Sequence, residues 1–270
     1  MPTLTWNKRY WASNWADRGE GWSGFWGTSE MQWYGSILPR IHRHLHTGTI
    51  LEIACGYGRW THFLKEYCDQ LIGIDLVDLC VAACRQRFAG DNHLRFVQND
   101  GRSLDFVPDG SVDFVFSFDS LVHIDETVMR AYLSQFPRIL RPGGTAFLHH
   151  SNLGAYPLHA RLLYTPKLRR MLSLAHLIER NHHNREPGMS ATRMAAIATE
   201  CGLTVTAQEC VTWGTRHLLL DCLTTLQLCA NALPAERIEN ENFMREAHNW
   251  RRLRVLYQND SRENVGSCSL

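Results

Sequence analysis

The chain has 270 residues, 44% of them hydrophobic and 10% aromatic, enough apolar side chain for one large globular core and too much for a disordered chain. Its 28 Lys and Arg against 27 Asp and Glu leave a net charge of +1, too weak a field to steer a polyanion, which argues against nucleic acid as a partner. The 9 cysteines are odd in number and form no Cys-x-x-Cys pair, so buried thiols are expected, and neither a disulfide framework nor a zinc site.

Residues 1–47 are rich in rings: Trp6, Tyr10, Trp11, Trp15, Trp22, Phe25, Trp26, Trp33 and Tyr34. One reading is an arm whose rings pack on the main domain, because aromatics bury large areas at small entropic cost. The other is a lid whose rings flank a ligand. Gly19-Glu20-Gly21-Trp22-Ser23-Gly24 lets this segment bend, and residues 36–45 read as a helix entering the first strand. No charged segment followed by an apolar core opens the chain, and no run approaches membrane-spanning length, so a cytoplasmic protein without a membrane span is expected.

From Thr49 to Thr61 the order is an apolar strand, Glu52, two glycines one residue apart (Gly56, Gly58) and the start of a helix. Two glycines let a backbone turn sharply under a flat ligand, which needs positive φ and no Cβ at the contact. A dinucleotide-binding turn would carry a third glycine where this chain has Thr61. Glu52 beside the turn disfavours a diphosphate and favours an ammonium or sulfonium. Residues 60–68 continue as a helix with Trp60, Phe63, Leu64 and Tyr67 on one stripe.

A second strand ends at Asp75, placed to accept both ribose hydroxyls, and a helix spans 77–88. A third strand runs into Asn99-Asp100-Gly101, where Asp100 suits the amino group of adenine. The fourth strand covers 114–118, an amphipathic helix 125–140 ends at the turn Pro142-Gly143-Gly144, and 145–150 form the fifth strand. Strands alternating with helices at this spacing require right-handed crossovers, hence a parallel sheet with helices on both faces.

Residues 153–189 break this rhythm and read as an inserted helical cap over the substrate, with a helix over 158–177 bearing Arg161, Lys167, Arg169 and Arg170 and a polar stretch with His182 and His183. A helix capped by Ser190 runs to Cys201 and stops at Gly202, and 203–213 and 217–226 read as two further strands. The expected organisation is an arm or lid (1–47), a core (48–233) containing the cap, and a C-terminal helix and tail (234–270) whose helix carries Arg245, Arg251, Arg252 and Arg254.

Five segments in order, Leu51 through Gly58, Gly73-Ile74-Asp75, Asn99-Asp100-Gly101, Val112 through Ser117, and Ile139-Leu140-Arg141-Pro142-Gly143-Gly144, resemble the motifs of the class I S-adenosylmethionine-dependent methyltransferases. The resemblance covers residues 48–152. It implies an α/β, doubly wound, Rossmann-like sheet of seven mostly parallel strands, one of the last two antiparallel, with S-adenosylmethionine as cofactor. It also implies that Glu52, Gly56 and Gly58 hold the methionine amino end, Asp75 the ribose, and Asp100 and Gly101 the adenine. Phe118 and Asp119 then flank the methionine part. Arg59 either meets the cofactor carboxylate or pairs with Glu52.

Methyl transfer is an in-line displacement, and a hydroxyl acceptor needs a base to take its proton. Histidines fall near the strand tips at His123, His149 and His150. His123 lies four residues beyond Asp119, on the same face if that segment is helical. His149 and His150 are consecutive on a strand and point to opposite faces, so one of them faces the reaction. Asp119 with His150 and Asn152 would form an open site for Mg²⁺, which lowers an alcohol's pKa; in the competing arrangement Asp119 orients a histidine base without metal. Phe116 through Asp125 together with His149-His150-Ser151-Asn152 resembles methyltransferases that modify sugars in bacterial glycan assembly, although the ending His150-Ser151-Asn152 departs from the tyrosine, serine and aspartate of several of them. An O-methyltransferase of a sugar or oligosaccharide hydroxyl is therefore expected, with O- or N-methylation of a small aromatic or natural-product intermediate as the alternative. A homodimer through the arm or last strand is the expected assembly.

Overall fold

The computed structural model describes residues 3–13, 15–165, 184–214, 217–228 and 235–258. Eight strands, β1 (Thr47–Ile53), β2 (Cys68–Asp75), β3 (Leu94–Gln98), β4 (Val112–Ser117), β5 (Leu140–Ser151), β6 (Thr204–Val211), β7 (Asp221–Gln227) and β8 (Glu236–Asn240), form one sheet in the order β3-β2-β1-β4-β5-β7-β6-β8. The first five strands run parallel, β7 runs antiparallel between β5 and β6, and β8 pairs parallel with β6. Strand order reverses between β1 and β4, and the crevice at their carboxyl ends is where open α/β sheets take ligands.

This is the Rossmann-like architecture expected, with one strand more than the seven anticipated. Strand β8 lies in the segment read as helix and tail. It escapes notice because Glu236-Arg237-Ile238-Glu239-Asn240 has one apolar residue, Ile238, itself 48% exposed. A sheet edge facing water needs no alternating pattern.

Alternate residues of each central strand feed two cores. On one face Leu51, Ile53, Val115, Ala146 and Leu148 pack under Val128, Met129, Phe136, Met194 and Ile197. On the other, Ile50, Phe114, Phe116 and Phe147 meet Trp26, Trp33, Ile37, Ile41, Trp60, Phe63 and Phe243. Trp26 and Trp33 are fully buried, so residues 26–41 are part of the second layer and not an appendage to it. The C-terminal helix, Phe243–Gln258, completes that layer: the Trp250 indole rests on Gly35, and Arg254 donates to the Gly27 carbonyl.

Several elements are shorter than the sequence suggests. The expected helix over 125–140 is two, Glu126–Leu133 and Phe136–Ile139, because Pro137 has no N–H to continue the first and suits the opening turn of the second. The Asp125 side chain caps the first by accepting from Val128 N at 3.0 Å. Pro142-Gly143-Gly144 lies inside β5, where a register shift opposite Val112 and Phe114 absorbs it. The helix after the glycine turn is Thr61–Leu64 and continues as a 3-10 turn, Lys65–Tyr67. Of the cap, the 3-10 turn Leu153–Ala155 and helix Pro157–Leu163 are seen, while Lys167, Arg169, Arg170, His182 and His183 lie outside the described residues. No helix among the described residues is long and apolar enough to cross a membrane.

Candidate active site

Strand β1 ends in a chain of left-handed residues, Ala54 (φ 60°), Gly56 (φ 56°) and Gly58 (φ 78°), that folds the backbone into a tight turn. A Cβ on Gly58 would stand 2.4 Å from the Phe88 ring, and one on Gly56 2.3 Å from Trp15, so both positions demand glycine on space as well as on φ. The turn is tied to the end of β2 by Asp75, whose carboxylate accepts from Gly56 N and Val77 N, both at 2.9 Å. Burial pushes the Asp75 carboxyl up to about 6, against the pull of those two N–H donors. Leu76 N and the Cys80 thiol are further donors to this carboxylate, which stands on the cavity wall where a ribose hydroxyl would meet it.

These elements line a cleft whose empty space, counted out into open solvent, is about 700 Å³. Its wall includes Asp75, Leu76, Val77, Asn99, Gly101 and Tyr132. Asp100 is not on that wall: it is exposed and its Oδ1 accepts from Arg102 N and Ser103 N, which hold its carboxyl below the usual range. The polar group at its expected place is Asn99, whose amide donates to the Ser103 carbonyl and to the Tyr132 hydroxyl at 3.0 Å. The apolar walls, amide and buried carboxylate fit a nucleoside.

Glu52 lies beneath the turn, 2% exposed, and accepts from the Thr61 hydroxyl. Burial pushes it up to about 8, so at neutral pH it is an uncharged acid rather than the carboxylate the sequence suggested. Arg59 pairs with Asp119 (Nη2 to Oδ2, 2.9 Å) and not with Glu52, and its guanidinium also reaches the Ser23 hydroxyl and lies 4.4 Å from the Trp60 ring. Asp119 follows Phe118 at the tip of β4 with φ 64°, and its side chain faces the cavity. Phe118 is buried between Trp60, His149 and Trp213 and does not line the cavity.

The three histidines fare differently. His149 Nδ1 accepts from Asp119 N at 3.0 Å, and Nε2 faces Asp221 Oδ2 at 3.0 Å. A backbone N–H can only donate, so the ring proton sits on Nε2 and both nitrogens are used. Asp221 is fully buried and also takes two bonds from Arg185, at 2.8 and 2.6 Å. Burial alone would raise the Asp221 carboxyl, but Arg185 and His149 hold it well below the ordinary range. His150 points to the opposite face, as strand parity requires, and bonds the Ser151 carbonyl and the Thr224 hydroxyl at 2.9 and 2.8 Å. Burial lowers it to about 4.

His150 is thus sealed on the face away from His149 and Asp119. The expected metal pairing of Asp119 with His150 does not form, and Asn152 is engaged with the Leu219 carbonyl and Ala191 N. Among the described residues no group of three His, Cys, Asp or Glu is placed to hold a metal ion.

His123 is the histidine that faces an opening. Its Nδ1 lies 3.1 Å from the Asn184 carbonyl and must donate there, which leaves Nε2 as a lone pair. Burial holds His123 down to about 4, hence neutral. Its ring borders a second cavity of about 1180 Å³, with Tyr10, Trp11, Trp22, Asp119, Trp213 and Arg251 among its neighbours. The arm fixes His123 from above, through Asn7 Nδ2 to its carbonyl at 3.1 Å and Trp11 against its ring. Sequence reasoning missed Asn99, Arg185 and Asp221. The last carried a signal, being a lone acid in the apolar run Leu218-Leu219-Leu220-Asp221-Cys222-Leu223, where a buried charge needs a partner.

Comparison with known proteins agrees with this geometry. Residues 50–144 match the family model of a methyltransferase domain. Over 106 residues, 38% of this chain, the sequence is 28% identical to phosphoethanolamine N-methyltransferase 1 of Triticum aestivum, and the match spans 21% of that protein's length. Magnesium protoporphyrin IX methyltransferase from Synechocystis, solved with bound SAH, superposes with a TM-score of 0.58 at 16% identity, covering 84% of this chain and all (100%) of that one. An S-adenosylmethionine-dependent methyltransferase from Mesorhizobium loti gives 0.52 at 16% identity, over 76% and 100% of the two chains. Residues 50–144 thus match a methyltransferase-domain model, and the chain has the fold of the class I S-adenosylmethionine-dependent methyltransferases.

Proposed function

We propose that the protein is an S-adenosylmethionine-dependent O-methyltransferase whose acceptor is a hydroxyl of a sugar or oligosaccharide bound in the second cavity. The observation that carries this reading is the shared wall of the two cavities: Asp119, Trp11 and Trp22 border both, and His123 borders the second. S-adenosylmethionine supplies, when bound, an electrophilic methyl carbon on a positively charged sulfur.

In this mechanism Asp75 accepts the ribose hydroxyls, and Asn99 and Tyr132 lie beside the base. The arm narrows the access of water, because Trp11, Trp15 and Trp22 line the cavity. An acceptor hydroxyl in the second cavity donates to His123 Nε2. His123 Nε2 would take the hydroxyl proton as the oxygen is methylated, with the bond pair left on the cofactor's sulfur, and the charge gained by the ring would offset the one the cofactor loses. The Asn184 carbonyl stabilises the resulting imidazolium by accepting from Nδ1–H.

The rings of the second cavity (Tyr10, Trp11, Trp22, Phe25, Trp213) support a sugar, whose faces stack on aromatics, and equally a flat arene. A second reading, N-methylation, is favoured by the match to phosphoethanolamine N-methyltransferase and needs no base. Incubation of the protein with labelled cofactor and panels of manno- and gluco-oligosaccharides, phenols and amines separates the three. The expected result is labelled saccharide; label confined to amines would overturn the hydroxyl-and-base mechanism.

A further inference from the structure

Trp11, Trp15 and Trp22 all lie on the wall of the cofactor cavity, which Asn99 and Tyr132 also line. They pack on one another with centroids 6.0, 5.2 and 5.1 Å apart. Trp15 closes directly over the glycine turn, where a Cβ on Gly56 would stand 2.3 Å from its ring. Trp11 and Trp22 recur on the wall of the second cavity, and with Asp119 they are the side chains common to both. A methyl group leaving one cavity for the other must pass between them, so the reacting sulfur lies beside these rings.

The charges at this end are already matched. The Asp119 carboxylate is bound by Arg59 at 2.9 Å, and the other acid on the wall, Asp75, belongs to the nucleoside end. Arg59 itself lies 5.4 Å from the Trp22 centroid, so one cation already uses that ring. A second cation entering here therefore meets indole faces and not an unpaired carboxylate.

We propose that Trp11, Trp15 and Trp22 form an aromatic cage that recognises the positive charge on the sulfur, so that the N-terminal arm distinguishes S-adenosylmethionine from its neutral product. The inference rests on the assignment of the first cavity to that cofactor. Indole faces attract a cation near the ring centroid and most strongly among aromatic side chains. A neutral thioether forfeits that attraction and keeps every contact of the nucleoside end. The arm then favours release of product over release of unreacted cofactor.

Calorimetry with S-adenosylmethionine, its unreactive ammonium analogue sinefungin, and S-adenosylhomocysteine tests the cage directly. Native protein should bind the two cations about two- to thirtyfold more tightly than the neutral product. Trp15→Leu and Trp11→Leu should erase most of that ratio with product affinity held within about twofold, and Trp15→Phe should fall between, as the weaker π face predicts. Retained product affinity reports an intact fold, and if one Leu variant loses all three ligands the other decides. Equal weakening of all three ligands, an unchanged ratio, or no preference in the native protein overturns the cage. Failure of native protein to bind either cofactor or product would instead overturn the assignment of the cavity.

Discussion

His149 and His150 at the end of β5 and His123 in the loop after β4 stand within a few residues of the same switch point, yet they are built in opposite ways. Each ring on β5 has both nitrogens engaged by partners within 3.0 Å. His123 has one nitrogen held by the Asn184 carbonyl, and its ring borders a cavity. All three are buried. Hydrogen-bond accounting, more than proximity to a strand tip, decides which imidazole has a lone pair to offer. The strand supplies a scaffold for Asp119, and the loop supplies the imidazole proposed as the base.

The sharpest way to break this comparison is His123→Gln. It should lower kcat by about 10²–10⁴-fold with cofactor affinity unchanged, the range for losing a general base. Single-turnover rates beside calorimetry would read both, and full activity would remove His123 from the mechanism. Asp221→Asn should act on the fold first, costing about 3–5 kcal/mol of stability because Arg185 is left buried without its partner. Denaturant melts check this; an unchanged midpoint would mean the Arg185–Asp221–His149 chain is not structural.

Acid and base should destabilise the protein for different reasons. His44, His123 and His150 are held down to about 4 by burial, so their contribution is complete above the unfolded histidine value and is lost as pH falls from there toward 4. Glu52, pushed up to about 8, works with the other sign. Its contribution is present below the unfolded carboxyl value and declines as pH rises through 8. Native protein should therefore lose up to about 3 kcal/mol between pH 6 and pH 9 from this group, and Glu52→Gln should remove that slope. A parallel decline in both proteins would assign the loss elsewhere. Asp75→Ala carries the smallest expected effect, about 1–3 kcal/mol of cofactor affinity, since backbone and apolar walls remain; unchanged affinity by calorimetry would reject its place on the ribose.

The parts legible in the sequence are those fixed by local backbone demands. Gly56, Gly58 and Asp75 were readable because a turn without Cβ and an acid at a strand end leave a spacing of their own. Asp100 was misplaced by one residue, since nothing in Asn99-Asp100-Gly101 tells which side chain caps the turn and which reaches inward. The partner of Arg59 was likewise hidden: Glu52 is seven residues away in sequence, but burial removes its charge, and Asp119 from another strand takes the guanidinium. Strand β8 left no trace because a solvated edge asks for no apolar period. Arg185 and Asp221 are 36 residues apart and find each other only through the tertiary fold.

The N-terminal segment and the C-terminal helix meet in one layer, with Trp250 on Gly35 and Arg254 on Gly27, and together they supply Tyr10, Trp22, Phe25 and Arg251 to the second cavity, while the loop after β4 supplies Asp119 and His123. If the second cavity takes the acceptor as proposed, selection for a new one can edit the chain's periphery and leave the turn at Gly56 and the imidazole of His123 intact. Such a division lets one inherited chemical engine diversify by rewriting its margins.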